Sequence, residues 1–167
     1  MAAEIAISRQ YVTFGLGEEL FGVEVTRARE ILDLTPVTKV PQTPDYLLGV
    51  INLRGQVVPV VDLRVKLGLP RQEATRDSCI IVMEVQMDGE TMTVGGLADS
   101  VREVLELRDD QIEPPPRMGT RLKTEFIAGM GKVEEEFLIL LDIDKIFSSD
   151  ELCVMQGAED AGHLLSV

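Results

Sequence analysis

Hydrophobic and polar residues alternate in short runs along most of the chain, which predicts β-strands rather than long helices. The first run covers 11–16 and the second covers 20–25, with a glycine-containing turn at 17–19 between them. This pattern predicts a β-hairpin near the start of the chain. Because residues 1–10 are short of aromatic and β-forming side chains, we expect them to be flexible, with order beginning at Tyr11.

A second hairpin is predicted around the dipeptide Arg54-Gly55. Strand-forming residues occupy 50–53 and 56–63 on either side of it. Pro59 lies inside the second of these strands. A proline there predicts a sheet edge or a bulge, because it has no backbone N–H to donate.

The dipeptide Asp88-Gly89 marks a third hairpin, since Asp-Gly between two alternating runs is a strong signal for a two-residue turn. The flanking strands are predicted at 79–87 and 90–94. A strand, a turn and another strand follow within 126–147. The chain is therefore expected to be mainly β.

Helices are predicted only as short segments. Residues 25–32 have apolar side chains at helical spacing, and Thr43 with Pro44 matches the cap and first residue of a brief helix that stops before Gly49. A C-terminal helix is predicted at 149–156, where a capping pattern precedes the segment and a glycine follows it.

The chain also aligns with itself, which indicates an internal duplication. The matches are Tyr46-Leu47 with Phe126-Ile127, Gly49 with Gly129 and 57–63 with 137–143 at a shift of 80, and Gly22 with Gly95 and 29–32 with 102–105 at a shift of 73. Two similar, interleaved β-barrel halves, roughly 20–75 and 76–147, are predicted to share one core. A small sheet must bury one face against another element.

Composition narrows the functional classes. The chain has 29 acidic and 16 basic side chains, a formal net charge of −13, and this charge repels nucleic-acid phosphates and anionic lipid headgroups. No apolar run approaches the ~20 residues needed to cross a bilayer, and residues 1–10 lack the layout of a signal peptide. We expect a cytoplasmic protein that binds no nucleic acid and does not insert into a membrane.

No catalytic, metal-binding or cofactor-binding constellation is evident in the sequence. The single histidine, His163, lies in a predicted loose tail, where no partner group is held against it. Cys79 and Cys153 lack metal-ligand spacing and a neighbouring histidine, so we expect reduced, unreactive thiols. Asp62 ends a strand in the first half and Asp142 ends the equivalent strand in the second, which predicts a role in the fold for both. The alternative is an enzyme using clustered carboxylates, and Asp62→Ala would abolish its activity.

The arginine of the Arg54-Gly55 turn is not required by the fold. The dipeptide Arg54-Gly55 corresponds to Glu134-Glu135 in the second half. On the residues alone, Arg54 is either a solvated charge or a contact for a partner surface, to which its planar guanidinium is suited.

The segment 49–64, with the sequence GVINLRGQVVPVVDLR, closely resembles the signature of the CheW-like domain family. The similarity extends over 11–147. The resemblance implies two five-stranded SH3-like β-barrels around a shared hydrophobic core, with short helices. On this basis 11–147 is one CheW-like domain, followed by a C-terminal helix and loose tail at 148–167.

The resemblance implies a non-enzymatic adaptor of bacterial chemotaxis. Family members couple methyl-accepting chemoreceptors to the histidine kinase CheA. They dock on the cytoplasmic tip of the receptor and on the regulatory domain of the kinase. The implied location is the cytoplasm, with recruitment to membrane-associated receptor arrays and no cofactor. The alternative is a CheW-like adaptor of a related motility pathway, such as pili or gliding.

The resemblance also implies a receptor-binding groove between the two barrels. The matching positions are Ala28, Glu30, Gly49, Asn52, Leu53, Arg54 and Gly55. We expect Glu30 to pair with Arg54 and to orient its guanidinium. Ala28 departs from the family, because many relatives carry a larger aliphatic residue there. The kinase-facing surface is assigned only to the second barrel, without named residues.

Overall fold

The structure of the chain is mainly β. The computed structural model describes residues 8–70, 72–87, 89–114, 126–133 and 136–146. The elements within these ranges are β1 (Ser8–Leu16), β2 (Glu19–Glu24), a 3-10 turn (Val25–Arg27), β3 (Ala28–Asp33), β4 (Leu47–Leu53), β5 (Gln56–Asp62), α1 (Leu63–Lys66), β6 (Cys79–Met87), β7 (Glu90–Ala98), β8 (Ser100–Arg108), a 3-10 turn (Asp109–Gln111), β9 (Ile112–Glu113), β10 (Ile127–Val133), β11 (Glu136–Leu141) and α2 (Ile143–Ile146). The predicted fold class and the three predicted hairpins are confirmed.

The strands form two sheets, each of which takes strands from 20–75 and from 76–147. One sheet has six strands in the order β8-β1-β2-β11-β10-β9, and the other has five in the order β3-β6-β7-β5-β4. The β2–β11 and β5–β7 contacts are parallel. The remaining neighbours are antiparallel. The β1–β2 hairpin therefore pairs with the β10–β11 hairpin, and the β6–β7 hairpin pairs with the β4–β5 hairpin.

The two sheets share one hydrophobic core, as the duplicated sequence predicts. Its largest cluster of buried side chains includes Phe14 and Phe21 from the six-stranded sheet and Ile81 and Met83 from the five-stranded sheet. The Phe14 and Phe21 rings stack with their centroids 5.9 Å apart. Each sheet also has a smaller buried cluster of its own. Because both sheets bury side chains in the shared cluster, they form one folded unit.

The sequence repeat corresponds to a structural duplication. The elements β4, β5 and α1 recur as β10, β11 and α2 at a shift of 80, with bounds that agree to within one residue. A bulge interrupts both hairpins at the same place, beside Gly49 in the first and Gly129 in the second. The two units are therefore alike in backbone as well as in sequence.

Asp62 and Asp142 have the fold role that the repeat predicts. The backbone N–H of Asp62 donates to the carbonyl oxygen of Tyr46 at 2.7 Å, and that of Asp142 donates to Phe126 at 2.9 Å. The Asp62 carboxylate also accepts the backbone N–H of Arg64 at 3.0 Å and caps α1. A cap of this kind satisfies an N–H that has no partner inside the helix.

Two of the predicted helices are wrong. Within 25–32 only Val25–Arg27 is helical, as one 3-10 turn, and the strand β3 follows at once. The side chains of β3 alternate between half-buried and exposed as the strand pairs with β6. The side chains of this segment therefore alternate with the two-residue period of a strand, although a few of its apolar residues also have helical spacing. After Pro44 the chain makes a single turn, with the Leu47 N–H donating to the Pro44 carbonyl at 3.0 Å, and enters β4.

The start of β1 differs from the prediction, whereas the position of Pro59 agrees with it. β1 begins at Ser8, earlier than the predicted Tyr11, because it pairs with the end of β8. Pro59 pairs with β4, and the ladder from β5 to β7 begins only at Val60. The strand is therefore a local sheet edge at Pro59, as predicted. The predicted C-terminal helix at 149–156 lies outside the described residues.

Candidate functional site

The Arg54-Gly55 turn has a left-handed backbone that is stabilised by a neighbouring side chain. Arg54 has a φ of 52° and Gly55 a φ of 85°, as in the two-residue turns that suit the twist of a hairpin. The side-chain Oδ1 of Asn52 accepts the backbone N–H of Gly55 at 2.8 Å. A left-handed conformation costs a residue with a Cβ about 1–2 kcal/mol. The chain thus accepts some strain to present Arg54 at the tip.

The predicted pairing of Glu30 with Arg54 is confirmed. Arg54 Nη2 donates to Glu30 Oε1 at 2.7 Å. Glu30 lies on β3 and Arg54 follows β4, and these are the two outer strands of the five-stranded sheet. The Arg54 side chain is 69% exposed and that of Glu30 is 28% exposed, so the pair contributes only about 0–1 kcal/mol to stability. The glutamate orients the guanidinium while leaving most of its surface open.

Gly49 is required by a close backbone approach. It has a φ of 147°, and a Cβ at this position would lie 2.1 Å from the carbonyl oxygen of Thr38. The segment after β3 reaches β4 there, with Thr38 and Val50 exchanging backbone hydrogen bonds of 2.9 and 2.8 Å. The equivalent Gly129 is similarly close to the strand β9. Gly49 therefore supports the site through the fold.

The seven candidate site residues all lie on the five-stranded sheet or its hairpin turn. Hydrogen bonds link Glu30 to Arg54 and Asn52 to Gly55. Ala28 is half-buried against the shared core, and Leu53 is half-buried against the smaller cluster of its own sheet. The groove between the barrels stays a prediction.

The sequence did not predict two exposed aliphatic side chains at the end of β3. Ile31 follows Glu30 on β3 and is 44% exposed, and Leu34 lies just after the strand and is 40% exposed. Predicting a helix at 25–32 hid the exposed position of Ile31. Strand alternation would have placed Ile31 on the opposite face from Glu30 and Leu32.

A cavity of about 490 Å³ is lined mainly by residues of the six-stranded sheet and by none of the seven candidate residues. Arg9, Arg27 and Asp144 are among its lining groups. Arg27 forms an ion pair with Asp144, and Arg9 forms one with Glu24 at 3.2 Å. The charges at this cavity are thus largely satisfied by one another.

The structure bears on two kinds of candidate chemistry, a metal site and a reactive thiol. Within the described ranges no group of three or more His, Cys, Asp or Glu side chains is arranged to hold a metal ion. Burial raises the pKa of the Cys79 thiol, which disfavours the reactive thiolate. None of the helices seen in these ranges is long and apolar enough to span a membrane.

Comparison with known sequences identifies the family. The sequence model of the CheW-like domain matches residues 10–151. The chain belongs to the CheW-like domain family. The chemotaxis protein CheW of Klebsiella aerogenes is 36% identical over 151 residues, which cover 90% of this chain and 89% of that protein. The chemotaxis protein CheW of Rhizobium meliloti is 36% identical over 143 residues, covering 86% and 90%.

A solved structure agrees with the CheW-like assignment. The crystal structure of the scaffolding protein TtCheW from Thermoanaerobacter tengcongensis superimposes with a TM-score of 0.77 at 31% sequence identity. The match covers 90% of this chain and 95% of the other. The CheW-like architecture of two packed β-sheets, expected from the segment 49–64, is therefore confirmed.

Proposed function

We propose that the chain is a non-enzymatic scaffold of bacterial chemotaxis that couples methyl-accepting chemoreceptors to the histidine kinase CheA. The observation that carries the proposal is the match to chemotaxis proteins named CheW, which extends over about nine-tenths of each chain. The solved TtCheW, a scaffolding protein, is covered to 95%. Recruitment to membrane-associated receptor arrays is part of the proposal.

The receptor-binding site is proposed at Ala28, Glu30, Gly49, Asn52, Leu53, Arg54 and Gly55. Its principal contact is Arg54, whose guanidinium is exposed and oriented by Glu30. A planar guanidinium suits paired hydrogen bonds to a carboxylate on the partner. A receptor tip that presents a carboxylate would match this guanidinium.

Within this site the residues divide between contact and support. Asn52 and Gly55 hold the tip of the turn, and Gly49 allows the neighbouring segment to cross the strand. Arg54 supplies the contact. Changes at the supporting residues should therefore weaken receptor binding by moving Arg54.

Signalling through such a scaffold requires no chemistry of its own. A ligand can shift the balance between two states of its partner only through a difference in its affinity for them. The scaffold would bind receptor and kinase together and favour one kinase geometry according to the state of the receptor. The kinase-facing surface is proposed on the second barrel.

A pull-down tests the proposal. The wild type, Arg54→Glu and Arg108→Glu would each be offered a receptor cytoplasmic fragment and, separately, the CheA regulatory domain. Arg108 is a matched control for receptor binding, since it is an exposed arginine paired with Asp110 at 3.2 Å on the other sheet. We expect Arg54→Glu to lose the receptor and keep the kinase, and Arg108→Glu to keep the receptor.

The opposite results identify what is wrong. A wild type that binds neither partner contradicts the coupling role with these partners, and an adaptor of a related motility pathway then becomes the leading function. Loss of the receptor by both arginine variants contradicts the assignment of the site to the five-stranded sheet.

A further inference from the structure

The two hairpin–helix units, β4-β5-α1 and β10-β11-α2, occupy two docking places that are equivalent in the backbone. In one place β5 lies parallel to β7, with Val60 opposite Gly95. In the other β11 lies parallel to β2, with Leu140 opposite Gly22. These residues correspond to one another in the sequence repeat. Because the units also agree in length and bulge position, the lengths of their strands do not determine which unit docks where.

The first docking place is closed by Asp99, at the corner where the chain passes from β7 into β8. Its Oδ1 accepts a hydrogen bond from Arg64 Nε at 2.9 Å, and its Oδ2 accepts one from Arg64 Nη2. The same Oδ2 accepts the backbone N–H of Gly17 at 2.6 Å. Arg64 belongs to α1, and its side chain is only 6% exposed. Asp99 thus joins the helix of one sheet to the hairpin turn of the other.

The second docking place is closed by Arg27, at the corner where the chain passes from β2 into β3. Arg27 donates to Asp144 Oδ2 at 3.1 Å through Nη1 and to Asp144 Oδ1 at 2.5 Å through Nη2. Asp144 Oδ1 also accepts the backbone N–H of Gln86 at 2.9 Å. Asp144 belongs to α2. This contact again joins a helix of one sheet to a hairpin strand of the other.

The two contacts correspond in place but are reversed in charge. Arg64 and Asp144 are equivalent helix positions at the shift of 80, and one is basic while the other is acidic. At the corners the order is inverted, with acidic Asp99 facing Arg64 and basic Arg27 facing Asp144. We propose that this reversed pair of contacts is a specificity device that assigns each hairpin–helix unit to its own docking place and excludes the exchanged arrangement.

The charges discriminate because exchange would bring like charges together. With β5 on β2 and β11 on β7, Arg64 would face Arg27 and Asp144 would face Asp99. Like charges that face one another in partly buried positions repel more strongly than they would in open solvent. The connecting segments 34–46 and 67–78 are each about a dozen residues and can span about 40 Å when extended. Specificity against the exchanged arrangement requires a repulsive element of this kind.

Charge swaps give a test that separates this device from simple stabilisation. Reversing one contact by Arg64→Asp with Asp99→Arg leaves attraction in both arrangements, and so does Arg27→Asp with Asp144→Arg. Reversing both contacts in a fourfold variant restores attraction in the native arrangement and repulsion in the exchanged one. In the native structure Asp144, a carboxylate on α2, already accepts a backbone N–H of the neighbouring hairpin. A carboxylate that the swap moves onto α1 can accept a hairpin N–H in the same way. The neutral variant Arg64→Met with Asp99→Asn is the control, since the contact at Arg27 still favours the native arrangement.

The measurement is a backbone NMR spectrum of each variant after refolding, with the Val60–Gly95 strand contact as the marker of the native arrangement. We expect each double swap to show a second set of resonances that the wild type lacks, because both arrangements are then attractive. The wild type, the neutral variant and the fourfold variant should each show one native set. The proposal is overturned if both double swaps show only the native set, if the neutral variant shows the same second set, or if the fourfold variant fails to fold.

Discussion

Glu30 Oε1 accepts a hydrogen bond from Arg54 Nη2 at 2.7 Å, and this contact joins the two outer strands of the five-stranded sheet. The pair holds an exposed guanidinium in one orientation above a turn whose backbone is left-handed. Its contribution to stability is small because solvent screens it. The pair is therefore better suited to recognition than to holding the fold together.

Substitutions at Arg54 should separate backbone strain from the ion pair. Both Arg54→Gly and Arg54→Ala remove the ion pair, but only glycine relieves the φ of 52°. We expect Arg54→Gly to be more stable than Arg54→Ala by about 1 kcal/mol. Urea unfolding of the two variants measures the difference. Equal stabilities would show that the turn is not strained at this residue.

A matched pair of glycine substitutions tests the fold role of Gly49. Gly49→Ala places a Cβ 2.1 Å from the Thr38 carbonyl oxygen, whereas nothing lies within 4 Å of a Cβ at Gly55. Both glycines have positive φ, so both substitutions strain the backbone. We expect a loss of about 1–2 kcal/mol for Gly55→Ala and of about 3 kcal/mol or more for Gly49→Ala. Similar losses in chemical denaturation would count against the close approach.

Local sequence signals predicted the hairpins because tight turns depend on neighbouring residues. Arg54-Gly55 and Asp88-Gly89 each mark the correct connection, and the resemblance in 49–64 led to the Glu30–Arg54 pair. The helix predicted at 25–32 failed because Val25, Ala28 and Leu32 fit two periods, and pairing of β3 with β6 decided between them.

Interleaving of the two halves was expected, but which hairpin pairs with which could not be predicted from the sequence. The parallel contacts, β5 with β7 and β2 with β11, join segments that are far apart in the chain. Each hairpin–helix unit has an equivalent in the other half, so local patterns fit either pairing. Arg64 is buried and Asp99 is half-buried, and their ion pair forms only when β5 pairs with β7.

Stability should depend on the ionisation of Asp99. Burial alone would raise the pKa of this carboxyl, but hydrogen bonds from Arg64 and from the Gly17 N–H outweigh it and lower the pKa. The pKa of Asp144 is lowered in the same way by its own partners. A group with a lowered folded-state pKa stabilises the fold fully above its unfolded-state pKa of about 3.9 and loses this contribution as pH falls through the folded value.

We therefore expect the free energy of unfolding to decline as pH falls from about 5 towards 2, and to decline less steeply in Asp99→Asn. Urea unfolding across this range measures it. Asp33→Asn, at the exposed end of β3, is the control and should follow the wild-type curve. An Asp99→Asn curve parallel to the wild type would contradict the linkage.

The Cys79 thiol should be unreactive in the folded protein. It is buried, and its pKa is raised by that burial, so both access and thiolate formation are disfavoured. In a Cys153→Ala background, a thiol reagent such as DTNB should react with Cys79 only as fast as the protein unfolds. Reaction at the rate of a free thiol in native conditions would show that Cys79 is accessible.

The central claim is tested most directly by the affinity of the chain for a receptor cytoplasmic fragment, measured by calorimetry for the wild type, Arg54→Glu and Arg108→Glu. We expect Arg54→Glu to weaken binding at least about tenfold, equivalent to about 1.4 kcal/mol, while its circular dichroism spectrum stays native. Arg108→Glu should bind like the wild type. Binding by Arg54→Glu that equals the wild type, or no binding by the wild type itself, would contradict the account.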